Sequence, residues 1–448
     1  MRGSSSPSNP SFDGKSILRS LVLVFRMKNL LVISLVVGLS PLVLPVAAQE
    51  KALSLEKQME QAWEVMWTRF YQEEVQTFAD YLSSYEEGKV LAHLPSSEEV
   101  KRQYPNPCGY STGMEDGAIL GGAMLSLIVD RYAVTGEEEL RAAAEKAFRG
   151  LERCCTVHGV RGFVARNVCA EDGKSTYINS SRDQVTHCVH GLWRYYHSSL
   201  PDAGVKGDIA ALLSAIADRM IEYVVPENDY DFCRSDGSRD PLGISRMWEV
   251  QAHEAARLPM IYAAAWDVTG EEKYHTKYRE YAADAVAQSH EPGEHKPAYA
   301  LLQMQCSLEV LYALESEKEL KEEIFQVMQH VASLAKKRSV QVSERLSGMD
   351  RETLAMTGPD WRKVIEWKDQ SGYQNPQWGP YRKVWHAIRE AGEAQIIPLM
   401  LPEPDITSEQ VDLLRDLITE SDYLHNSSCG IVYHMAAYWR ARALGILE

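Results

Sequence analysis

The sequence is poor in positive charge and has no closely spaced cysteine pair of the kind that binds zinc. Lysine and arginine together number 47, against 63 aspartate and glutamate residues, and the formal net charge is −16. Because a nucleic-acid-binding surface needs an excess of basic residues, no binding to DNA or RNA is expected. The eight cysteines are dispersed and none forms a Cys-x-x-Cys pair, so they are expected to pack as small hydrophobic side chains.

Strand-like patterns and interdomain linkers are also lacking. Almost no segment of residues 49–448 alternates apolar and polar residues, whereas apolar residues recur at spacings of three and four. That spacing is typical of amphipathic helices and predicts an all-α protein. No Pro/Gly/Ser-rich linker divides these roughly 400 residues, so 49–448 is predicted to form a single domain.

The N-terminus has the three parts of a secretory signal peptide. A basic start at Met27-Lys28 precedes an apolar run over 30–46, and the small residues Val46-Ala47-Ala48 follow. This order predicts cleavage near Ala48–Gln49 and a secreted or periplasmic protein, with residues 1–26 as an upstream extension. Removal of residues 1–48 changes the formal charge to −20.

An uncleaved membrane anchor is the alternative interpretation of this segment. Pro41 and Pro45 interrupt the apolar run, which favours cleavage over a membrane-spanning helix. We therefore expect no stable membrane association after the signal is removed.

The helical segments occur as hairpins. "YAVTGEEELRAAAEKAF" from Tyr132 resembles "WDVTGEEKYHTKYREYA" from Trp266, and Gly136 and Gly270 suit the ends of the first helices. The outer, one-face-charged helices are predicted near 51–84, 137–157, 205–224, 271–290, 317–337 and 407–420. The inner helices, apolar on more of their surface, are predicted near 114–134, 182–199, 247–269, 297–315, 380–400 and 428–446.

Strict alternation of six outer and six inner helices predicts an (α/α)6 toroid, also called a six-hairpin barrel. A helical-repeat solenoid is the architectural alternative. Long loops at 84–113, 158–181, 225–246 and 338–379 lead toward starts of inner helices. Loops of this length usually carry function, so a toroid would gather them around one cavity.

Acidic residues recur where the first three inner helices are predicted to begin. Asp116 in "GMEDG", Asp183 in "SSRDQ" and Glu249 in "RMWEVQAHE" are separated by 67 and 66 residues. Converging carboxyl groups can act as general acid and base at a glycosidic bond, so these three are the catalytic candidates. The alternative is that each acid only complements the positive end of its helix dipole.

Other polar and aromatic residues of the same regions are candidates for substrate binding. Arginine can clamp a carboxylate through two hydrogen bonds, and aromatic rings can stack on sugar rings. The candidates are Arg166, Arg182, Gln184, His187, Arg246, Trp248, His253, Tyr373, Trp378 and Tyr381.

The chain lacks a recognisable metal motif. His253-Glu254 begins like a zincin motif, but Arg257 stands where the second histidine belongs. The aspartates at 229–240 match no EF-hand spacing. We expect neither a metal nor a cofactor, and an oligosaccharide substrate as the partner.

With twelve helices, Val-Thr-Gly-Glu hairpins and acids at inner-helix starts, the chain resembles six-hairpin glycosidases. Unsaturated glucuronyl hydrolases, unsaturated rhamnogalacturonyl hydrolases and fold-related β-glucuronidases are the members it looks most like. The resemblance implies that Asp116 and Asp183 act together, with Asp183 donating a proton to a 4,5-unsaturated uronate and activating water. Those enzymes show Asp-Asp followed by Met near the second site, whereas this chain has Arg182-Asp183-Gln184, so a saturated uronide is also an open substrate.

The predicted function is therefore a glycoside hydrolase acting on uronic-acid-containing oligosaccharides. A polysaccharide lyase is an alternative, with His187, His190, Tyr110 and Asn179 as candidate groups. A non-catalytic glycan-binding toroid and a toroid enzyme of another class, such as a sugar epimerase, are the remaining interpretations.

Overall fold

A computed structural model describes residues 54–447, in which helices dominate and two small hairpins supply the strands. The predicted signal peptide and the extension before it lie outside the described residues. The helices are α1 Leu55–Val65, α2 Ser97–Lys101, α3 Gly117–Thr135, α4 Glu139–Thr156, α5 Arg182–His197, α6 Ala203–Tyr223, α7 Arg257–Thr269, α8 Glu272–Ser289, α9 Ala298–Leu314, α10 Lys318–Ser347, α11 Arg351–Leu354, α12 Tyr381–Ile396, α13 Ser408–Glu420 and α14 Ser428–Ala443. The antiparallel strand pairs are β1 Tyr71–Gln72 with β2 Thr77–Phe78, and β3 Glu366–Lys368 with β4 Gln374–Pro376.

Six helices form a closed inner ring. Helix α3 packs on α5, and contacts then run through α7, α9, α12 and α14 back to α3. Helices α1, α4, α6, α8, α10 and α13 lie outside, and each packs against at least one helix of the ring. The predicted all-α (α/α)6 toroid is confirmed, and the contact of the last helix with α3 distinguishes it from an open solenoid.

Burial separates the two sets of helices as the sequence predicts. Most residues of α3, α9 and α14 are buried, whereas α4 and α10 keep one exposed, charged face. Among residues 54–447, α3 is the one helix whose length and composition would suit a membrane span. It is enclosed by its neighbours in the ring, as a core helix is.

The repeated hairpins end as predicted. Gly136 after α3 and Gly270 after α7 both adopt the left-handed conformation, with φ of 65° and 70°. Their amides donate to the carbonyls of Tyr132 and Trp266. A glycine accepts this conformation without steric cost, so each one closes an inner helix and starts the turn to an outer helix.

The third inner helix begins ten residues later than predicted. The expected helix over 247–269 starts at Arg257, and Ala252–Glu254 before it form only a 3-10 turn. Pro259 falls in the first turn of α7, where its missing N–H leaves no helical hydrogen bond unmade. The prediction that Glu249 stands at an inner-helix start is therefore wrong, and Glu249 adopts a left-handed φ of 54° in an irregular segment.

Two outer helices also differ from prediction. The segment expected as a helix over 51–84 leaves α-helical geometry after Val65, passes through a π-helical turn at Met66–Phe70 and enters the β1–β2 hairpin. The ring of Phe78 in β2 packs edge-to-face against Trp67 of the π-helical turn, and Phe78 is fully buried there. Helix α10, expected to end near 337, continues to Ser347 and shortens the loop that follows.

Two glycines set the close packing of α3 against α5. A side chain at Gly122 would collide with the backbone carbonyl of His187, and one at Gly191 would collide with the backbone of Gly122. The two helices therefore approach each other with backbone in contact, a distance that no larger residue allows.

A buried charge network joins four inner helices at the end of the ring where α3 and α5 finish. Arg194 of α5 donates to both oxygens of Asp130 of α3, at 2.8 and 3.0 Å. Arg440 of α14 donates to Asp130 and to Glu309 of α9, and Glu309 also contacts Nε2 of His190 at 2.7 Å. The charges balance within the network, as buried charges must.

All eight cysteines are buried as free thiols, in agreement with the prediction that they pack as small hydrophobic side chains.

Candidate functional site

A cavity of about 480 Å³ opens at the end of the ring where the inner helices begin. Residues from α3, α5, α9 and α12 line it. All four long loops also contribute, through Tyr110, Arg166, Leu242 and Trp367 among others. The prediction that the long loops converge on one cavity at the inner-helix starts is confirmed.

Asp116 stands immediately before α3, but its carboxylate does not cap that helix. Its Oδ1 accepts from Nε2 of Gln184 at 3.0 Å, and its Oδ2 accepts from Nη1 of Arg389 at 2.9 Å. These bonds tie the start of α3 to α5 and α12. The side chain faces the cavity and is held by partners from other helices.

Asp183 lies in the first turn of α5, whose N-cap is Ser181. Its Oδ1 is 2.5 Å from Nη1 of Arg257, and the buried Arg257 also donates to Oε1 of Gln303 at 2.7 Å. Burial raises the pKa of Asp183, but Arg257 and Arg182 outweigh burial and lower that pKa to about 2. Asp183 is therefore a carboxylate at any pH in the physiological range.

Glu115, which the sequence analysis did not select, lines the same cavity beside Asp116. Its Oε2 accepts from the backbone amide of Ser111 at 2.5 Å. Burial, and then the negative charge of Asp116, raise the pKa of Glu115 to about 7. Glu115 can thus hold a proton near neutral pH, whereas Asp183 cannot.

Asp80 fixes the backbone that carries this pair of acids. It is fully buried, and its two oxygens accept from the amides of Glu115 at 2.7 Å and Asp116 at 2.9 Å. Two hydrogen bonds from one side chain to consecutive amides hold the turn before α3 in one conformation. Asp80 acts on the site through these backbone groups.

Two of the predicted binding residues, Arg166 and Trp378, line the cavity, and a third, Gln184, bonds to the lining residue Asp116. Arg166 donates to the carbonyl of Glu115 at 3.0 Å and to Oη of Tyr110 at 3.3 Å. Gln184 holds Asp116, as described above, and Trp378 lines the wall with its ring largely buried.

Arg182 and His187 lie next to the cavity without lining it. The guanidinium of Arg182 is 2.6 Å from Glu254 and also donates to the carbonyl of Arg246, so it forms a structural ion pair. His187 is buried one turn further along α5 than Asp183, and burial lowers its pKa to about 3.

The remaining predicted residues lie outside the cavity wall. The side chain of Glu249 is 59% exposed and pairs with Arg246 at 2.8 Å. Trp248 is half-buried, with its ring edge-to-face on Tyr281 of the outer helix α8. Arg246 also lies outside the wall, in its ion pair with Glu249. The same holds for His253, Tyr373 and Tyr381: His253 is buried beside Glu254, Tyr373 accepts from Asn179, and Tyr381 packs against Tyr81.

Several cavity residues escaped sequence reasoning. Arg389 and Arg382 lie in α12, Tyr299 begins α9, and Trp367 belongs to the β3–β4 hairpin. Glu115 had a visible signal, since it adjoins Asp116 in "GMEDG". Trp367 lies in the long loop over 338–379, which was expected at the cavity, but no pattern singled it out. The residues of α9 and α12 could not be placed, because only the closed ring brings these helices beside α3.

Over residues 54–447, the structure contains no group of three or more His, Cys, Asp or Glu side chains placed to hold a metal ion.

No protein-family model and no curated protein matches this chain. It is similar in fold to a glycoside hydrolase family 76 mannosidase from Bacteroides thetaiotaomicron, with 12% identity, a TM-score of 0.49 and coverage of 88% of this chain and 99% of that one. A sugar epimerase from a ruminal bacterium matches with 12% identity, a TM-score of 0.49 and coverage of 88% and 100%. A cellobiose 2-epimerase from Spirochaeta thermophila matches with 13% identity, a TM-score of 0.44 and coverage of 88% and 98%. A function for this chain therefore has to follow from the side chains of its own cavity.

Proposed function

We propose that this protein is an exported glycoside hydrolase that cleaves uronic-acid-containing oligosaccharides at the cavity of Glu115, Asp116 and Asp183. The observation that carries the proposal is a pair of carboxyl groups in opposite protonation states at one cavity. The pKa of Glu115 is raised to about 7 and that of Asp183 is lowered to about 2. Glycosidases divide the work between one protonated and one ionised carboxyl group in this manner.

The roles follow from these protonation states. Protonated Glu115 donates its proton to the glycosidic oxygen as the bond from that oxygen to the anomeric carbon breaks. The positive charge that develops on the sugar ring is stabilised by the carboxylate of Asp183. Water then adds to the anomeric carbon, and its proton returns to Glu115.

Asp116 acts on this pair as a positioning and tuning residue. Its negative charge contributes to the raised pKa of Glu115, and Arg389 and Gln184 fix its carboxylate. The proton donor that the family resemblance placed at Asp183 is thereby assigned to Glu115, because a carboxyl group with a pKa of about 2 holds no proton to donate.

Arg382 supports a substrate that carries a carboxylate. It lines the cavity, and within residues 54–447 its guanidinium pairs with no acidic side chain, its Nε lying 3.3 Å from His386 Nε2. Arg389, by contrast, already pairs with Asp116 and Glu393. An unpaired guanidinium beside the acids suits a uronate, whose carboxylate can accept two parallel hydrogen bonds.

The lyase alternative fits the cavity less well. A lyase needs a base that accepts the proton beside the uronate carboxylate. Burial raises the pKa of Tyr110 well above its ordinary value, so its phenolate is disfavoured. Asn179 is buried away from the cavity wall and donates to Asp240 at 2.9 Å.

A product assay tests the proposal. The wild-type protein is incubated with saturated and with 4,5-unsaturated uronate oligosaccharides, and reducing ends are measured together with the absorbance of the conjugated double bond. We expect new reducing ends with unchanged absorbance on saturated substrates, or with loss of absorbance on unsaturated ones. A gain in absorbance would identify a lyase, and binding or epimerisation without new reducing ends would refute hydrolysis.

A further inference from the structure

The β3–β4 hairpin extends one wall of the cavity beyond the helical ring. Trp367 and Asp369, two residues apart, both line the cavity. Glu366, between Ile365 and Trp367, instead accepts from Oη of Tyr104 at 3.0 Å. Alternate residues of a strand point to opposite faces, so the Trp367–Asp369 face is the one that borders the cavity.

The hairpin is fixed at its base by neutral hydrogen bonds. Nδ2 of Asn106 donates to the carbonyl of Gln374 and to Oδ1 of Asn375, both at 3.1 Å. Oγ of Ser111 donates to the carbonyl of Pro376 at 3.0 Å, and the amide of the same Ser111 donates to Glu115. One short loop therefore holds both the hairpin and the proposed proton donor.

Trp367 is the exposed aromatic of this face. Its surface is 39% exposed, although most tryptophans of the chain are buried or half-buried in the core. Tyr299 at the start of α9 is 38% exposed and lines the same cavity. An exposed, positioned aromatic ring beside polar groups is a feature of ligand-binding surfaces.

We propose that Trp367 is the platform of a second sugar-binding subsite, on which the ring next to the cleaved bond stacks while Asp369 accepts hydrogen bonds from its hydroxyl groups. This inference rests on the proposed function for the position of the cleaved bond. It adds that the substrate has at least two sugar rings, because the cavity beside Glu115 and Asp183 continues to the hairpin.

The proposed occupant is a sugar ring because such a ring has both an apolar face and a polar edge, and the Trp367–Asp369 face of the hairpin offers a partner to each. The C–H groups of a pyranose ring cover the aromatic plane of Trp367, and the hydroxyl groups at its edge meet the carboxylate of Asp369. Oδ1 of Asp369 already accepts from the amide and the hydroxyl group of Ser371. A purely apolar ligand would cover the other carboxylate oxygen without supplying a hydrogen bond, which is unfavourable.

Binding measurements by calorimetry test the subsite. They use Glu115→Gln, which keeps the ligand intact, alone and combined with Trp367→Ala, Trp367→Phe or Ile365→Ala. The probes are methyl β-glucuronide, uronate tetrasaccharides with saturated and unsaturated ends, cellotriose and mannotriose. Ile365 is a matched control, because its side chain is 79% exposed next to β3 but does not line the cavity.

We expect Trp367→Ala to weaken binding of a tetrasaccharide at least about tenfold, as loss of an anchoring aromatic commonly does. Trp367→Phe should retain most of the affinity, and Ile365→Ala and the one-ring glucuronide should show no change. Equal tetrasaccharide affinity in Trp367→Ala, or the absence of oligosaccharide binding altogether, would overturn the subsite. If Glu115→Gln binds the neutral trisaccharides but not the tetrasaccharides, and Trp367→Ala weakens that binding, the subsite stands and the uronate specificity of the proposed function fails.

Discussion

Glu115 and Asp183 carry the same functional group at one cavity, and their neighbours give them opposite behaviour. Burial raises the pKa of both groups, and the charge of Asp116 raises that of Glu115 further, whereas the buried guanidinium of Arg257 lowers that of Asp183. A nearby negative charge favours the neutral acid, and a nearby positive charge favours the anion. The opposite behaviour of the two acids therefore depends on Arg257, which lies 74 residues from Asp183 along the chain.

This opposite behaviour predicts the pH dependence of activity. The donating form of Glu115 is protonated, so it predominates below about pH 7 and is lost as pH rises through that value. Asp183 stays ionised across the same range, because its pKa is about 2. We expect kcat/KM to fall about tenfold per pH unit above the pKa of Glu115.

The profile of kcat/KM between pH 5 and pH 9 checks this expectation. Burial raises the pKa of Glu393 to about 7 as well, so Glu393→Gln serves as the control and should keep the alkaline fall. A rate that is constant or increases through pH 7 would remove Glu115 from the donor role.

At the scale of residues, the sequence predicted where the acidic side chains lie better than it predicted what each of them does. The regular spacing of Asp116 and Asp183 located two of the cavity's acids. Their chemistry depends on Arg257 and Arg389, which lie 74 and 273 residues away along the chain. No local pattern carries that information.

At the scale of elements, helical periodicity was sufficient to predict all twelve helices of the toroid. The errors lie at ends, as at α7, where Pro259 belongs to the first turn and the apolar residues before it pack without forming a helix. Glu249 was misplaced for this reason. The helix pattern also gave no sign of the β3–β4 hairpin, whose strands have three residues each.

The α3–α5 contact gives a prediction for stability. Gly122→Ala introduces a methyl group that collides with the carbonyl of His187, so we expect it to lower the free energy of unfolding by about 1–3 kcal/mol. The matched control is Gly207→Ala in α6, where the methyl group meets nothing within 4 Å. That variant should be neutral or stabilised, because alanine has the higher helix propensity.

Thermal unfolding of the two variants compares these sites directly. Gly122→Ala should melt below the wild type and Gly207→Ala should not. Equal melting temperatures would show that α3 and α5 can separate without cost.

At the scale of the whole molecule, closure of the ring creates the site. Asp116 before α3, Asp183 in α5, Arg257 in α7, Tyr299 in α9 and Arg389 in α12 come from five inner-helix hairpins. The charge network of Asp130 and Glu309 joins α3, α5, α9 and α14 at the opposite end of the ring. The alternation of helices was enough to predict a toroid. Which side chains meet at the cavity could not be predicted, because that depends on how the ring of inner helices closes.

Turnover by three carboxamide variants tests the central claim most directly. Glu115→Gln and Asp183→Asn remove the proposed donor and anion, and Glu249→Gln changes an exposed acid outside the cavity. The variants are compared on the best uronate oligosaccharide, with circular dichroism to verify the helical fold. We predict that the first two reduce kcat by roughly a hundredfold or more while Glu249→Gln keeps wild-type turnover. Wild-type turnover in folded Glu115→Gln or Asp183→Asn would contradict the account.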